Sequence, residues 1–77
     1  MTERQLRQRF LADRRLLAAN MKRARKRLRL SQVRLAELAR THRTYVSLIE
    51  RCATNPSLMI VSRLAAALKV KVGNLYR

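Results

Sequence analysis

The sequence predicts an all-α chain, and three observations carry that prediction. Glycine and proline occur once each in 77 residues, at Gly73 and Pro56, and these are the residues that most often punctuate helices. Aromatic residues make up only 4% of the chain and Val and Ile are few, which leaves little material for a sheet. Apolar residues recur at steps of four, three and four from Leu17 through Met21 and Ala24 to Leu28, the spacing of one helix face.

The elements follow in order. Residues 3–28 contain neither Gly nor Pro, and Leu6 and Phe10 precede the stripe. Asp13 and Asn20 interrupt it, so the segment reads either as one long helix or as a short helix followed by a second. A break or bend near Asp13 is the favoured reading. It divides the chain into a basic N-terminal extension over residues 1–13 and a domain over residues 14–77. In L-R-L-S-Q, Ser31 is a good N-cap, its hydroxyl able to accept from a free amide of the first turn. Arg34 stands where a capping box would place Glu or Gln. The helix it opens runs from Gln32 to about Ala39, with Leu35, Ala36, Leu38 and Ala39 inward. A turn over Arg40 to His42 leads to a helix over about 43–51. Pro56 disfavours helical geometry at Asn55, and Ser57 caps a helix from Leu58 to Leu68. Lys69 to Lys71 turn the chain into a last short helix near Val72 that includes Leu75 and Tyr76.

The helix over 58–68 is apolar nearly all round. Leu58, Val61, Leu64, Ala65 and Leu68 form a core stripe, and Met59, Ile60, Ala66 and Ala67 occupy other sides. Such a helix is buried on more than one side. A homodimer interface through Met59, Ile60, Leu75 and Tyr76 is the expected cover, with Leu6 and Phe10 folding back over that surface as the alternative.

Charge bounds the function. Nineteen Lys and Arg oppose four acids, for a net charge of +15. Fifteen of the nineteen are Arg, whose planar fork suits phosphate. Eleven of the nineteen cations lie in residues 1–29, against only Glu3 and Asp13. Such a field calls for an anionic partner, nucleic acid first and an anionic membrane second. One cysteine, Cys52, forms no internal disulfide, and with the single His42 it builds no zinc-finger spacing. No metal, cofactor or catalytic residues are expected. The four acids show no paired spacing, and no Gly-rich phosphate loop exists. No apolar run approaches the roughly 18 residues of a membrane span, no signal peptide is evident, and a cytoplasmic location is expected.

The stretch T-H-R-T-Y-V-S-L-I-E-R, residues 41–51, has two unlike faces. At about 100° per residue, Arg43, Thr44, Ser47, Leu48 and Arg51 fall on one side and Tyr45, Val46 and Ile49 on the other. The front is rich in hydrogen-bonding groups, at a width that a major groove admits. Two short helices joined by about three residues read as a helix-turn-helix. Glu50 falls toward the core side, and an ion pair with an arginine of the first helix, Arg25, is expected.

The runs L-S-Q-V-R-L-A-E-L-A, R-T-Y-V-S-L-I-E-R, N-P-S-L and L-A-A-A-L-K-V closely resemble the lambda-repressor/Cro-like helix-turn-helix family. The wording is most similar to restriction–modification controller proteins and small phage-type repressors. The resemblance covers roughly residues 17–76. It implies a compact five-helix domain that binds operator DNA, commonly as a homodimer. It also implies that Gln32 contacts the DNA backbone or a base near it, that Arg43, Thr44 and Ser47 face the major groove, that Tyr45 and Arg51 touch phosphate or the groove edge, and that Asn55 lies in a loop approaching the backbone. Arg29, Arg40, Cys52 and Lys69 depart from the family, which usually has Gly there. His42 stands where a Ser or Asp cap is usual. The expected function is a sequence-specific transcriptional regulator on double-stranded DNA. The alternative is an antitoxin-like protein-interaction module that also binds DNA.

Overall fold

The computed structural model describes residues 1–77 throughout. It contains four α-helices, α1 (Glu3–Arg27), α2 (Gln32–Leu38), α3 (Arg43–Glu50) and α4 (Leu58–Leu68), followed by a 3₁₀ segment over Val72–Tyr76 and no strand. The expected five helices are thus four α-helices and one 3₁₀ segment.

The break expected near Asp13 does not occur, and α1 runs uninterrupted for 25 residues. Nothing in residues 3–27 lacks a backbone donor, so the ladder has no reason to open. Asn20, the second suspected interruption, spends its side chain on the C-terminus. Its Nδ2 donates to the carbonyls of Leu75 at 3.1 Å and Arg77 at 2.8 Å. The helix begins with a capping box in T-E-R-Q, where Thr2 Oγ1 accepts from the Gln5 amide and Gln5 Oε1 accepts from the Thr2 amide. Glu3 in the first turn and Arg25, Lys26 and Arg27 in the last complement the helix dipole. At about 1.5 Å per residue, α1 spans nearly the whole 40 Å long axis of the molecule. Its first two turns therefore project from the bundle. Leu6 and Phe10 stay half-exposed there and do not fold back over α4.

The core takes one stripe from each element. Leu17, Met21 and Ala24 of α1 meet Leu35, Ala36, Val46, Ile49, Val61, Leu64, Leu68 and Leu75. Three sequence expectations are corrected. Leu38 is 45% exposed, because Leu35, Ala36 and Ala39 already fill an arc of about 100° and Leu38 falls outside it. Leu58 is 70% exposed; it is the first residue of α4, and the covered stripe begins at Val61. Leu75 is 2% exposed and packed in its own core, so it is not available to a dimer partner.

All four α-helices end alike. Arg29, Arg40, Cys52 and Lys69 have φ of 58°, 55°, 56° and 61°, the left-handed region that favours glycine. At each end the left-handed residue donates its amide three residues back and the next residue donates five back. At Arg29 these bonds are to Lys26 and, from Leu30, to Arg25; at Arg40 to Glu37 and, from Thr41, to Ala36. At Cys52 they are to Ile49 and, from Ala53, to Leu48; at Lys69 to Ala66 and, from Val70, to Ala65. This double closure is the Schellman motif. The four departures from glycine thus keep the backbone that glycine would adopt.

Candidate nucleic-acid interface

The turn before α3 is firm. His42 replaces the usual hydroxyl or carboxylate cap, and its Nδ1 accepts from the Thr44 amide at 3.0 Å. This satisfies one of the free donors of the first turn. Ser31 caps α2 through the Arg34 amide at 2.9 Å. The two caps orient α2 and α3 as a helix-turn-helix pair. Arg63 of α4 steadies the turn by donating to the Arg40 carbonyl at 3.2 Å.

The back of α3, Val46 and Ile49, is buried. Its front is open. Arg43, Thr44, Ser47 and Arg51 line a groove of about 380 Å³ together with Gln32 and Val33 of α2. Five of the seven candidate DNA-contact residues meet there. Tyr45 is exposed on α3 but does not line the groove. Asn55 lines a second groove, of about 240 Å³, between the α3–α4 loop, α1 and the C-terminus. Sequence reasoning missed Val33, which faces outward one position after Gln32. It also missed Arg14, which reaches the α3–α4 loop from α1 across 41 residues of chain, a separation that no local pattern reveals.

One ion pair fixes the angle between these elements. Arg25 Nε donates to Glu50 Oε2 at 2.7 Å and Nη2 to Oε1 at 2.9 Å, a bidentate fork. The third nitrogen, Nη1, donates to the Leu30 carbonyl at 2.8 Å. Gln32 Nε2 donates to the same carboxylate at 3.1 Å, so α1, the start of α2 and the end of α3 converge on Glu50. Gln32 keeps one amide hydrogen and its carbonyl oxygen for other partners. The hydrogen bonds that Arg25 donates to Glu50 raise its pKa above the ordinary value, outweighing the opposite effect of burial.

The only other ion pair is the exposed Arg34–Glu37 contact at 3.6 Å, worth little. Every other Lys and Arg is without a carboxylate partner. The groove cations Arg43 and Arg51 are among them, and the Arg43 guanidinium takes no acceptor from the chain, while Arg51 Nε reaches only the Ser47 carbonyl at a long 3.4 Å. No helix is long and apolar enough to cross a membrane, and no three metal-ligating side chains come together.

The family model described as Helix-turn-helix matches residues 21–75. Among solved structures, the chain is similar to a hypothetical transcription factor, NHTF, from Neisseria. The two are 38% identical over 84% of this chain and 75% of that one, with a TM-score of 0.81. It is also similar to the restriction-modification controller protein C.AhdI from Aeromonas hydrophila, at 34% identity over 84% of this chain and 98% of that one, with a TM-score of 0.79. No curated protein matches the chain.

Proposed function

The chain belongs to the helix-turn-helix family of DNA-binding regulators, and from that premise we propose that it recognises operator DNA as a homodimer, with α3 in the major groove. The observation that carries this reading is the groove in front of α3. It gathers Gln32, Arg43, Thr44, Ser47 and Arg51, and it leaves the Arg43 guanidinium without a protein acceptor. An unsatisfied fork at the start of a groove-facing helix suits the O6 and N7 edge of guanine. Tyr45 and Arg51 would reach phosphate or the groove edge, and Asn55 the backbone beside it. Residues 1–13 would form a basic extension to the domain over 14–77.

The dimer reading rests on α4. Met59 is 63% exposed and Leu58 is 70% exposed, with Ile60 and Tyr76 half-buried beside the core. Two copies related by a two-fold axis would place their recognition helices on half-sites about 34 Å apart. The relatives of known structure carry titles of a transcription factor and a controller protein, and both fit a regulator.

Selection of bound sites from a random duplex pool tests the reading. A two-fold symmetric sequence is expected. Arg43→Ala should then lose discrimination at one base position, by about 1–3 kcal/mol. Lys22→Ala should weaken all sequences alike and lower the salt slope by about one. An Arg43→Ala protein that keeps the wild-type site preference would remove α3 from the base-reading role.

A further inference from the structure

Arg14 stands outside the family match at residues 21–75, yet it grips the loop that follows the recognition helix. Its Nη1 donates to Asn55 Oδ1 at 3.2 Å, and its Nη2 donates to the Cys52 carbonyl. In return Cys52 Sγ lies 3.6 Å from the Arg14 carbonyl. The Phe10 ring sits under the guanidinium at 5.7 Å, near enough for a cation–π contact. Two turns of α1 and the loop over residues 52–56 are thus held together through the guanidinium and the backbone carbonyl of a single residue.

The chemistry of the grip sets the direction of the Asn55 amide. A guanidinium is a donor only. Turning the amide over would bring its NH₂ group against another N–H, so Oδ1 is held toward Arg14. The Nδ2 group is thereby directed away from Arg14, and no acceptor within the chain takes it. Asn55 itself is exposed. The Cys52 carbonyl, held by the same fork, belongs to the left-handed residue that ends α3. Clamping it fixes where the loop leaves the recognition helix.

We propose that Arg14 is a positioning residue for DNA binding: it orders the α3–α4 loop and presents Asn55 Nδ2 as a donor to a backbone phosphate. This rests on the reading of the chain as an operator-binding protein. The projecting N-terminal turns of α1 then belong to the DNA interface through Arg14, with Phe10 supporting its guanidinium. Arg14 acts through Asn55 and is not itself the phosphate ligand.

The full-length protein is titrated by fluorescence anisotropy onto its selected operator and onto a random duplex, over a range of salt concentrations. The variants are R14A, R14K, N55A, the R14A/N55A double and R15A. Circular dichroism confirms that each is folded at the assay temperature. N55A and R14A should each weaken operator binding by about three- to tenfold, the range for one hydrogen bond. The double variant should be no weaker than the worse single, because both lose the same contact. R14K keeps the charge but cannot hold two acceptors in one fork, so it should be weakened like R14A. R15A removes a neighbouring charge and sets the purely electrostatic loss. Losses that add in the double variant, or R14K binding like wild type, overturn the proposal. So does a salt slope for R14A lower than that of R15A by about 0.9, the signature of a direct phosphate contact. If N55A binds like wild type, this inference falls while the functional reading stands. If the wild type fails to prefer any duplex, the functional reading falls with it.

Discussion

Four left-handed residues that are not glycine make a testable energetic claim. An L-residue in the left-handed region crowds its Cβ against the following carbonyl oxygen, at a cost of about 1–2 kcal/mol. Arg29 is the cleanest site. It has φ 58°, its backbone closes α1 through bonds of 2.9 Å from its own amide and 3.1 Å from that of Leu30, and its side chain makes no hydrogen bond or ion pair. Arg29→Gly removes the crowding but frees the unfolded chain, which returns about 0.4–1 kcal/mol. The net gain is about 0.5–1 kcal/mol. Arg29→Ala is the necessary control, since it also loses the guanidinium and its interaction with the helix C-terminus but keeps the Cβ. The Gly-minus-Ala difference therefore isolates the backbone term. In urea, with a slope of about 1 kcal/mol per molar for so small a domain, Arg29→Gly should unfold about 0.5–1 M later than Arg29→Ala at unchanged slope. In a thermal scan the gap should be about 2–8 °C. The same comparison at Arg40, Cys52 and Lys69 should give gains that nearly add, because the four sites share no partners. An alanine variant as stable as its glycine counterpart would refute the reasoning, since strain would then be absent from these turns.

Three further outcomes follow from the structure. Glu50→Ala leaves Arg25 charged and buried, with side-chain exposures of 11% and 3% in the intact pair; a loss of about 3–5 kcal/mol is expected by urea denaturation, and a loss under 1 kcal/mol would show that the pair does not anchor α3. Tyr76 has its phenol pKa raised, first by burial and then by the nearby Asp13 carboxylate. A raised pKa in the folded state means that the neutral form is favoured, so this stability is full below the ordinary tyrosine value near 10 and is lost as pH climbs through the folded value. Wild type should lose stability faster than Tyr76→Phe in that alkaline window; equal slopes would sink the assignment. Met59→Gln replaces an exposed apolar side chain of α4, and each buried copy contributes about 1.5–3 kcal/mol; sedimentation should show dimer dissociation rising tenfold or more, and unchanged self-association would move the interface off α4.

Much of this fold is local, and the local part was readable. Ser31, Ser57 and the turn over Arg40–His42 mark helix boundaries because capping depends on residues within four positions. The Arg25–Glu50 pair was readable because the phase of α3 puts its one acid on the core side, opposite an arginine-bearing helix. The failures have a common cause. Leu38 and Leu58 are apolar and in helices, but whether they are covered depends on which neighbours arrive. Leu75 looked like interface and is core for the same reason. The expected break at Asp13 gave a single polar residue more weight than an unbroken backbone ladder warrants. At the site, the groove residues of α3 follow from helix phase alone. The link from Arg14 to Asn55 joins residues far apart in sequence, so it appears only once α1 is seen to run unbroken past Asp13.

The stability and the charge of this domain are in tension, and the left-handed turns show which one prevails. Three of the four strained residues, Arg29, Arg40 and Lys69, are cations. Glycine at each would relieve strain, so stability alone does not account for the side chains present. The helix dipole offsets about 0.3–1 kcal/mol for a cation at an exposed helix C-terminus, most of the net of about 0.5–1 kcal/mol that glycine would return. The remainder is consistent with a protein whose partner is a polyanion, where each cation near phosphate releases a counter-ion and steepens the dependence on salt. The two effects separate in the variant with glycine at all four positions. It should unfold later than wild type by about 1 kcal/mol, four backbone gains of about 0.5–1 kcal/mol less three lost dipole interactions of about 0.3–1 kcal/mol, if the single effects add. Its affinity for random duplex should nevertheless fall, with a shallower salt slope, because three positive charges are gone. A variant both more stable and equally tight on DNA would mean that these cations lie away from the nucleic acid and that the strain is unrelated to binding.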